Sequence, residues 1–485
     1  MPITAHQQRP FSWRFVTPLL LGSALNPVNS TLIATALVSI AHSLGVSVGR
    51  TTVLVSALYL ACAVAQPTAG KLAEELGPRR VFLGGTVLVL AGGLIGGLSH
   101  DLTSLIVARA VIGIGTSAGY PCAMLLVRRR ATAAGLYEPP GGVLAGLAIV
   151  GLALIAVGPP LGGLLVGALG WRSTFLINIP FAVLTLVMTA LWLPRDTPPA
   201  AGARRARDVL ARIDLPGIAG FAAAMTCLLF FLVSLPHPDL PALAAAAVLA
   251  AALVRWEMRT AAPFLDVRRL GSNGALTRTY LRSGLTMLGV YAVLYGLPQW
   301  LEAAHGLSAG QSGLLIVPMG VAAAVLSTWV SRRGSVRSPL LAAGFALALG
   351  AAGILLLTAT SPRLLILLIT LLFGVTLGAG ISAGQTALYL QAAPDQVGTA
   401  SGLLRTFTYV GSIASSTLTG IVFRTHVDDS GLHTIALILI AVGALTVLVT
   451  AFDRALHGSR RGAPPSAPLI ERPATERVAR GTRRR

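Results

Sequence analysis

The sequence predicts an all-α integral membrane protein: two six-helix bundles plus two inserted helices, fourteen transmembrane helices in all. Three observations predict it. Of 485 residues, 54% are hydrophobic and only 11% are charged, against about 25% charged in a soluble domain. Apolar runs of about 20 residues recur along the chain, each long enough to cross a hydrocarbon core of roughly 30 Å as a helix. The basic residues, in turn, concentrate in alternate breaks between those runs, as a multi-pass chain requires.

The first run, Thr17–Ile40, follows Arg9 and Arg14 as a signal peptide would. It is longer than an h-region, contains Asn26, Pro27 and Asn29, and lacks a convincing cleavage site, so it reads as a retained helix. Thr52–Leu72 and Val81–Leu98 follow, divided by a charged, glycine-containing turn. Leu102–Leu126 closes at Arg128, Arg129 and Arg130, Val143–Leu169 ends at Gly170, and Thr174–Leu193 stops at Pro194. Leu215–Leu235 and the short, Ala-rich Leu240–Val254 form an inserted pair after the Arg-rich break Arg195–Arg212. Six more runs complete the chain: Leu276–Trp300, Gln311–Val330, Pro339–Ala359, Leu364–Leu388, Ala400–Phe423 and His433–Phe452.

With both termini cytoplasmic, Arg50, Arg172, Arg363 and Arg424 are the basic residues left outside, and Arg109, Arg282 and Arg405 those within spans. The other 30 of the 37 Lys and Arg then lie in cytoplasmic segments, which fixes an even number of crossings. The net charge of +20 is therefore a topological signal, and no nucleic acid is expected as a partner. Cys62, Cys122 and Cys227 fall in separate runs without paired spacing, so neither disulfide, metal site nor cofactor is expected.

The organisation expected is a cytoplasmic segment (1–16), an N-terminal six-helix bundle (17–193), a cytoplasmic linker (194–213), two inserted helices (214–256), a second linker (257–275), a C-terminal six-helix bundle (276–452) and a basic, disordered cytoplasmic tail (453–485). The halves echo one another: Val111-Ile112-Gly113-Ile114-Gly115 in the fourth run resembles Leu372-Phe373-Gly374-Val375-Thr376 in the twelfth. Paired bundles around a central cavity suit a transporter that rocks between two states.

Within the fifth run stands Gly158-Pro159-Pro160-Leu161-Gly162-Gly163. Each Gly and Pro costs stability in a soluble helix, whereas a membrane helix tolerates the kink and gains close approach to a neighbour. The fragment is similar to the fifth-helix signature of antiporters in the major facilitator superfamily. Between the second and third runs, Gly70-Lys71-Leu72-Ala73-Glu74-Glu75-Leu76-Gly77-Pro78-Arg79-Arg80 resembles that superfamily's cytoplasmic loop motif, with Glu75 and Pro78 where basic residues are usual. Glu74 is expected to pair with a helix end and with Arg79 or Arg80, locking the cytoplasmic side of the first half.

In the fourth run Arg109 precedes Gly113 and Gly115, a spacing similar to the superfamily's fourth-helix motif, whose Arg the resemblance implicates in proton coupling. Arg in hydrocarbon costs about 2.5–3.5 kcal/mol, which points to function; the other reading is a brace bonded to helix carbonyls. Gly170–Pro180 and Leu297-Pro298-Gln299-Trp300-Leu301-Glu302 resemble the fourteen-helix drug:proton antiporter branch, so the likeness covers Thr17–Phe452.

The resemblance implies the major facilitator fold and export of small hydrophobic or drug-like compounds by alternating access, as proton-coupled antiport, from the cell membrane. Implied partners are a small-molecule substrate, protons and membrane lipids, and the protein is expected as a monomer. The branch usually carries an acidic residue where Asn29 stands, while Thr31 is kept. None of the 17 acidic residues falls near the middle of a run, so a proton has no obvious carrier and neutral or anionic compounds suit Arg109 better than cations. Gln66, Tyr120, Tyr291, Tyr295, Gln299, Gln385 and Tyr389 are further candidates for the cavity. The alternatives are an uncoupled or differently coupled transporter of one metabolite, and, more remotely, a membrane sensor or membrane-embedded enzyme, for which no nucleophile or acid–base pair is seen.

Overall fold

The computed structural model describes residues 11–136, 141–196, 214–234, 238–260, 263–264, 267–268, 273–333, 335–392 and 397–456. Its regular elements there are helices, and each predicted run is helical. In chain order they are α1 (Trp13–Leu32), α2 (Leu37–Leu44), α3 (Val53–Leu76), α4 (Pro78–Leu98), α5 (Leu102–Thr116), α6 (Gly119–Ala133), α7 (Gly141–Leu169) and α8 (Asn178–Trp192). The inserted pair is α9 (Leu215–Ser234) and α10 (Leu240–Glu257). The C-terminal half comprises α11 (Gly274–Ala303), α12 (Ala309–Arg333), α13 (Arg337–Ile354), α14 (Arg363–Gln391), α15 (Val397–Val422) and α16 (Asp429–Ala451). The tail beyond Leu456, most of the first linker and part of the second lie outside the described residues.

The first predicted run is broken. The stretch Trp13–Thr35 meets α2 at 59°. The hydroxyls of Ser30, Thr31 and Thr35 turn back to the carbonyls of Pro27 and Leu32, a local bonding that bends helices. The fourth run is divided at Ser117, whose Oγ bonds the Gly113 carbonyl at 2.6 Å. The eleventh ends at Ile354 rather than Ala359, where the Ser361 hydroxyl accepts from the Thr358 amide and holds a turn.

Nine helices among the described residues are long and apolar enough to cross a membrane, ten if the bent α1–α2 pair is one span. The other expected crossings fall on α7, α9, α11 and α15; α11 carries Arg278, Arg282 and Glu302, and α15 carries Arg405. Phe230, Val248, Phe345 and Leu368 are more than half exposed, a surface that lipid would cover.

Two seams join the halves: α7 runs along α12, and α3 runs along α15. The inserted pair packs on itself and touches α3 and α15 through α9, leaving α10 largely exposed at the periphery.

Candidate functional site

The core between the seams is built from periodic faces. On α3, Ser56, Tyr59 and Gln66 share one side; on α11, Tyr291, Tyr295 and Gln299 do the same at intervals of four. Where these faces meet α15, side chains from the two halves bond. Tyr59 OH lies 2.9 Å from Tyr295 OH, which donates to the Ser30 carbonyl at 3.0 Å. Tyr409 OH donates to Gln66 Oε1, and the hydroxyls of Ser56 and Ser416 lie 2.6 Å apart. The Tyr59 ring packs edge-on to Tyr291 at 5.4 Å and against Tyr409 at 5.8 Å, and Tyr291 stacks on Tyr295 at 5.5 Å. Gln299 donates to the Tyr295 carbonyl at 2.9 Å, leaving its Oε1 buried without a partner.

Sequence reasoning named Tyr291, Tyr295, Gln66 and Gln299 but missed Tyr59, Tyr409, Ser56 and Ser416. The seven-residue spacings Tyr59–Gln66 and Tyr409–Ser416, which place each pair on one helix face, are the signal that was available. Tyr120, Gln385 and Tyr389 do not join this cluster. Tyr120 lies under the Arg405 guanidinium at 4.4 Å; Gln385 is half-buried with no side-chain hydrogen bond among the described residues, and Tyr389 is 58% exposed near the end of α14.

Asn29 is 2% exposed and forms a reciprocal amide pair with Asn178 of α8, at 2.6 and 3.0 Å. Arg109 braces this part of the N-terminal half: Nη1 donates to the Asn29 carbonyl at 2.9 Å and Nε to the Leu54 carbonyl at 3.1 Å. Among the described residues its Nη2 is buried with no partner, so one guanidinium donor stays available at depth. Among the described residues no carboxylate hydrogen-bonds this core. Asp214 precedes α9, Glu257 ends α10 and Glu302 is the last residue but one of α11.

The Gly-Pro-Pro-x-Gly-Gly fragment touches both halves. Gly158 packs on Thr31, whose hydroxyl donates to the carbonyls of Pro27 and Leu154 at 2.8 and 3.3 Å. A Cβ on Gly162 would lie 2.5 Å from the Leu32 carbonyl, and one on Gly163 would strike the Ala309 carbonyl. Reciprocally, a Cβ on Gly313 of α12 would lie 2.5 Å from the Pro159 carbonyl, with Pro160 just beyond. The α7/α12 seam is thus backbone against backbone at this end.

The face bearing few arginines, here the Arg-poor face, is also closed at the α3/α15 seam. Gly49 N–H donates to the Phe423 carbonyl at 3.1 Å, and a Cβ on Gly49 would lie 2.5 Å from the Gly420 carbonyl.

At the opposite, Arg-rich face the expected lock is replaced. Glu74 is exposed and has no hydrogen-bond or ion-pair partner among the described residues. Asp196, four residues beyond α8, takes its place: its carboxylate accepts from the backbone amides of Arg79 at 3.2 Å and Arg80 at 2.9 Å, with Arg129 at 4.0 Å. The reason is geometric. Glu74 sits on α3 before its end, whereas Asp196 caps the first amides of α4, where an anion is favoured. Gly77, at φ 101°, admits that carboxylate, since its own Cβ would strike Asp196. The Arg79 side chain reaches back to the carbonyls of Thr189 and Ala190 at the end of α8, at 3.4 and 2.9 Å. Gly70 faces the Pro121 side chain on α6 at 3.8 Å.

The C-terminal half repeats the device two residues beyond α16. Asp453 accepts from Arg282 at 2.7 Å and Arg278 at 2.8 Å, both on α11. Burial alone would raise the Asp453 carboxyl, but the hydrogen bonds from Arg278 and Arg282 outweigh it and hold the group below its ordinary range.

A model of the Major Facilitator Superfamily matches residues 19–416. The uncharacterized MFS-type transporter YwoD of Bacillus subtilis is 32% identical over 442 residues, which is 90% of this chain and 95% of its own. The lincomycin resistance protein of Streptomyces lincolnensis is 30% identical over 476 residues, 92% of this chain and 93% of its own. A crystal structure of the nucleoside transporter NupG shares the fold at a TM-score of 0.64 and 12% identity, covering 90% of this chain and 99% of that one.

Proposed function

The chain belongs to the Major Facilitator Superfamily, and from that premise we propose that it exports small, mostly hydrophobic, drug-like compounds by alternating access. The Arg-rich face is cytoplasmic, and both termini lie there. One observation carries the substrate class: the core where the halves meet is aromatic and polar, yet no carboxylate hydrogen-bonds it among the described residues. Phenols and amides bind neutral or weakly anionic aromatic compounds, whereas a cation would enter a low-dielectric site without a counter-charge. The spare Arg109 donor adds one positive site at depth. The resistance protein among the relatives supports outward transport of such compounds.

Antiport against protons is the coupling proposed. A second reading, transport without protons, is favoured by one feature: the Asn29–Asn178 amide pair stands where the resemblance expects an acidic residue, and amides do not titrate.

Everted membrane vesicles, acidified inside and loaded with a pH-reporting dye, test both. Neutral and anionic aromatic compounds are expected to be taken up and to dissipate the gradient, cationic ones not, and the effect is lost in Arg109→Ala. Uptake with no loss of gradient decides for the uncoupled reading. Selective uptake of cations contradicts the substrate class.

A further inference from the structure

Of the four arginines that the sequence assigns to the Arg-poor face, two line one cavity. A cavity of about 250 Å³ sits at the α3/α15 seam, with Arg50 and Thr52 contributed by the N-terminal half and Thr417 and Arg424 by the C-terminal half. Leu102 and Ile106, one turn apart on α5, form an apolar wall. The Arg50 side chain makes no hydrogen bond or ion pair among the described residues, its backbone amide alone donating to the Ser47 carbonyl. Thr417, which lines the cavity, is only 6% exposed, and its hydroxyl is buried without a partner among the described residues. A buried donor left unsatisfied is costly, and Arg50 and Arg424 line the same cavity. The carboxylates of the adjoining turns, Asp101 and Asp428, cap their own helices through the amides of Ser104 and Gly431 at 2.9 and 2.8 Å.

We propose that this cavity binds a phosphate-bearing anion, the headgroup of an anionic phospholipid, between the two halves. Guanidinium groups match phosphate in shape and charge and bind it bidentately; the Thr417 hydroxyl supplies a further donor, and Leu102 and Ile106 receive the first methylenes of an acyl chain. A phosphate held here would meet positive charge from both halves, Arg50 from one and Arg424 from the other. The anion bridges the seam beside the Gly49–Phe423 backbone bond, and so favours the state in which this end is closed.

The test titrates the purified full-length chain in micelles with phosphatidylglycerol, with phosphatidylcholine, and with inorganic phosphate alone, reading bound lipid by native mass spectrometry. Phosphatidylglycerol is expected to bind more tightly than phosphatidylcholine. Arg50→Ala and Arg424→Ala each weaken it by about tenfold, Thr417→Val weakens it less, and Arg172→Ala, which removes an arginine elsewhere on the same face, leaves it unchanged. Unaltered melting temperatures exclude unfolding as the cause, and Arg50→Gln serves if Arg50→Ala is unstable. Competition by inorganic phosphate that needs the same two arginines, without lipid selectivity, supports the anion site and assigns it to a free ion. Equal binding of the two lipids with no phosphate competition, or phosphatidylglycerol binding indifferent to both arginines, overturns the proposal. Because substrate transport is not read, failure here leaves the export reading standing.

Discussion

At the Arg-poor end the two halves of the molecule meet backbone to backbone, Gly49 against Gly420 and Gly163 against Ala309, with an amide–carbonyl bond crossing from Gly49 to Phe423. At the Arg-rich end the strong bonds stay within each half: Asp196 caps α4 beside Arg129, and Asp453 ties the end of α16 to Arg278 and Arg282 of α11. Between the halves, that end shows the Arg405 guanidinium over Tyr120. The hydrogen bonds described between the two bundles involve Ser30 and the stretch from Gly49 to Gln66, on the Arg-poor side and in the centre. The difference teaches which joint moves. Contacts that depend on glycine and fit can part and re-form as two rigid surfaces, while a buried carboxylate between arginines keeps one half rigid. On the alternating-access reading proposed above, transport opens the glycine-packed end and leaves the carboxylate clasps shut.

The largest effect that would break this contrast is expected at Asp453. Asp453→Ala leaves Arg282, 2% exposed, buried without its counter-ion, and should destabilise the C-terminal half by about 3–5 kcal/mol, read as a lowered thermal melting point in detergent. The sign with pH is fixed by the lowered folded-state value. Its contribution is full above the unfolded carboxyl value near about 3.9 and fades as pH falls through the lower folded one. The deficit of the variant should therefore persist at neutral pH and shrink only in acid. Gly163→Val comes next. Its side chain would meet the Ala309 backbone, and about 1–3 kcal/mol of overpacking should fall on the closed Arg-poor end, reducing transport more than melting temperature. Asp196→Ala removes a cap from two exposed or half-buried amides and should cost about 1 kcal/mol, less than Asp453→Ala in the same assay. Glu74→Gln should change stability by less than about 0.5 kcal/mol and leave transport near the wild-type rate; a severe loss would restore Glu74 to the gate.

The fold class was legible because membrane helices announce themselves by length and apolar composition. Gly158–Gly163 was legible too, since prolines and glycines in an apolar run demand a close neighbour, though not that Gly163 and Pro159 would meet α12. The clasp was misplaced for a physical reason. Glu74 and Arg79 are adjacent in sequence, but the carboxylate that caps α4 comes from Asp196, more than a hundred residues away and in a break with no pattern of its own. Tyr59 stands among apolar neighbours, seven residues from Gln66, and its partner Tyr295 lies in the other half of the chain. Helix rotation, which decides what faces the centre, follows from packing between halves rather than from either helix.

The most direct measurement is a reversible cross-link at the Arg-poor seam. Ser56 and Ser416 lie hydroxyl to hydroxyl at 2.6 Å across the halves, so Ser56→Cys with Ser416→Cys, in a chain whose Cys62, Cys122 and Cys227 are replaced, should form a disulfide on oxidation. Transport into everted vesicles should stop when the bond forms and return on reduction. Transport at the uncross-linked rate with the bond intact would contradict the claim that this end opens.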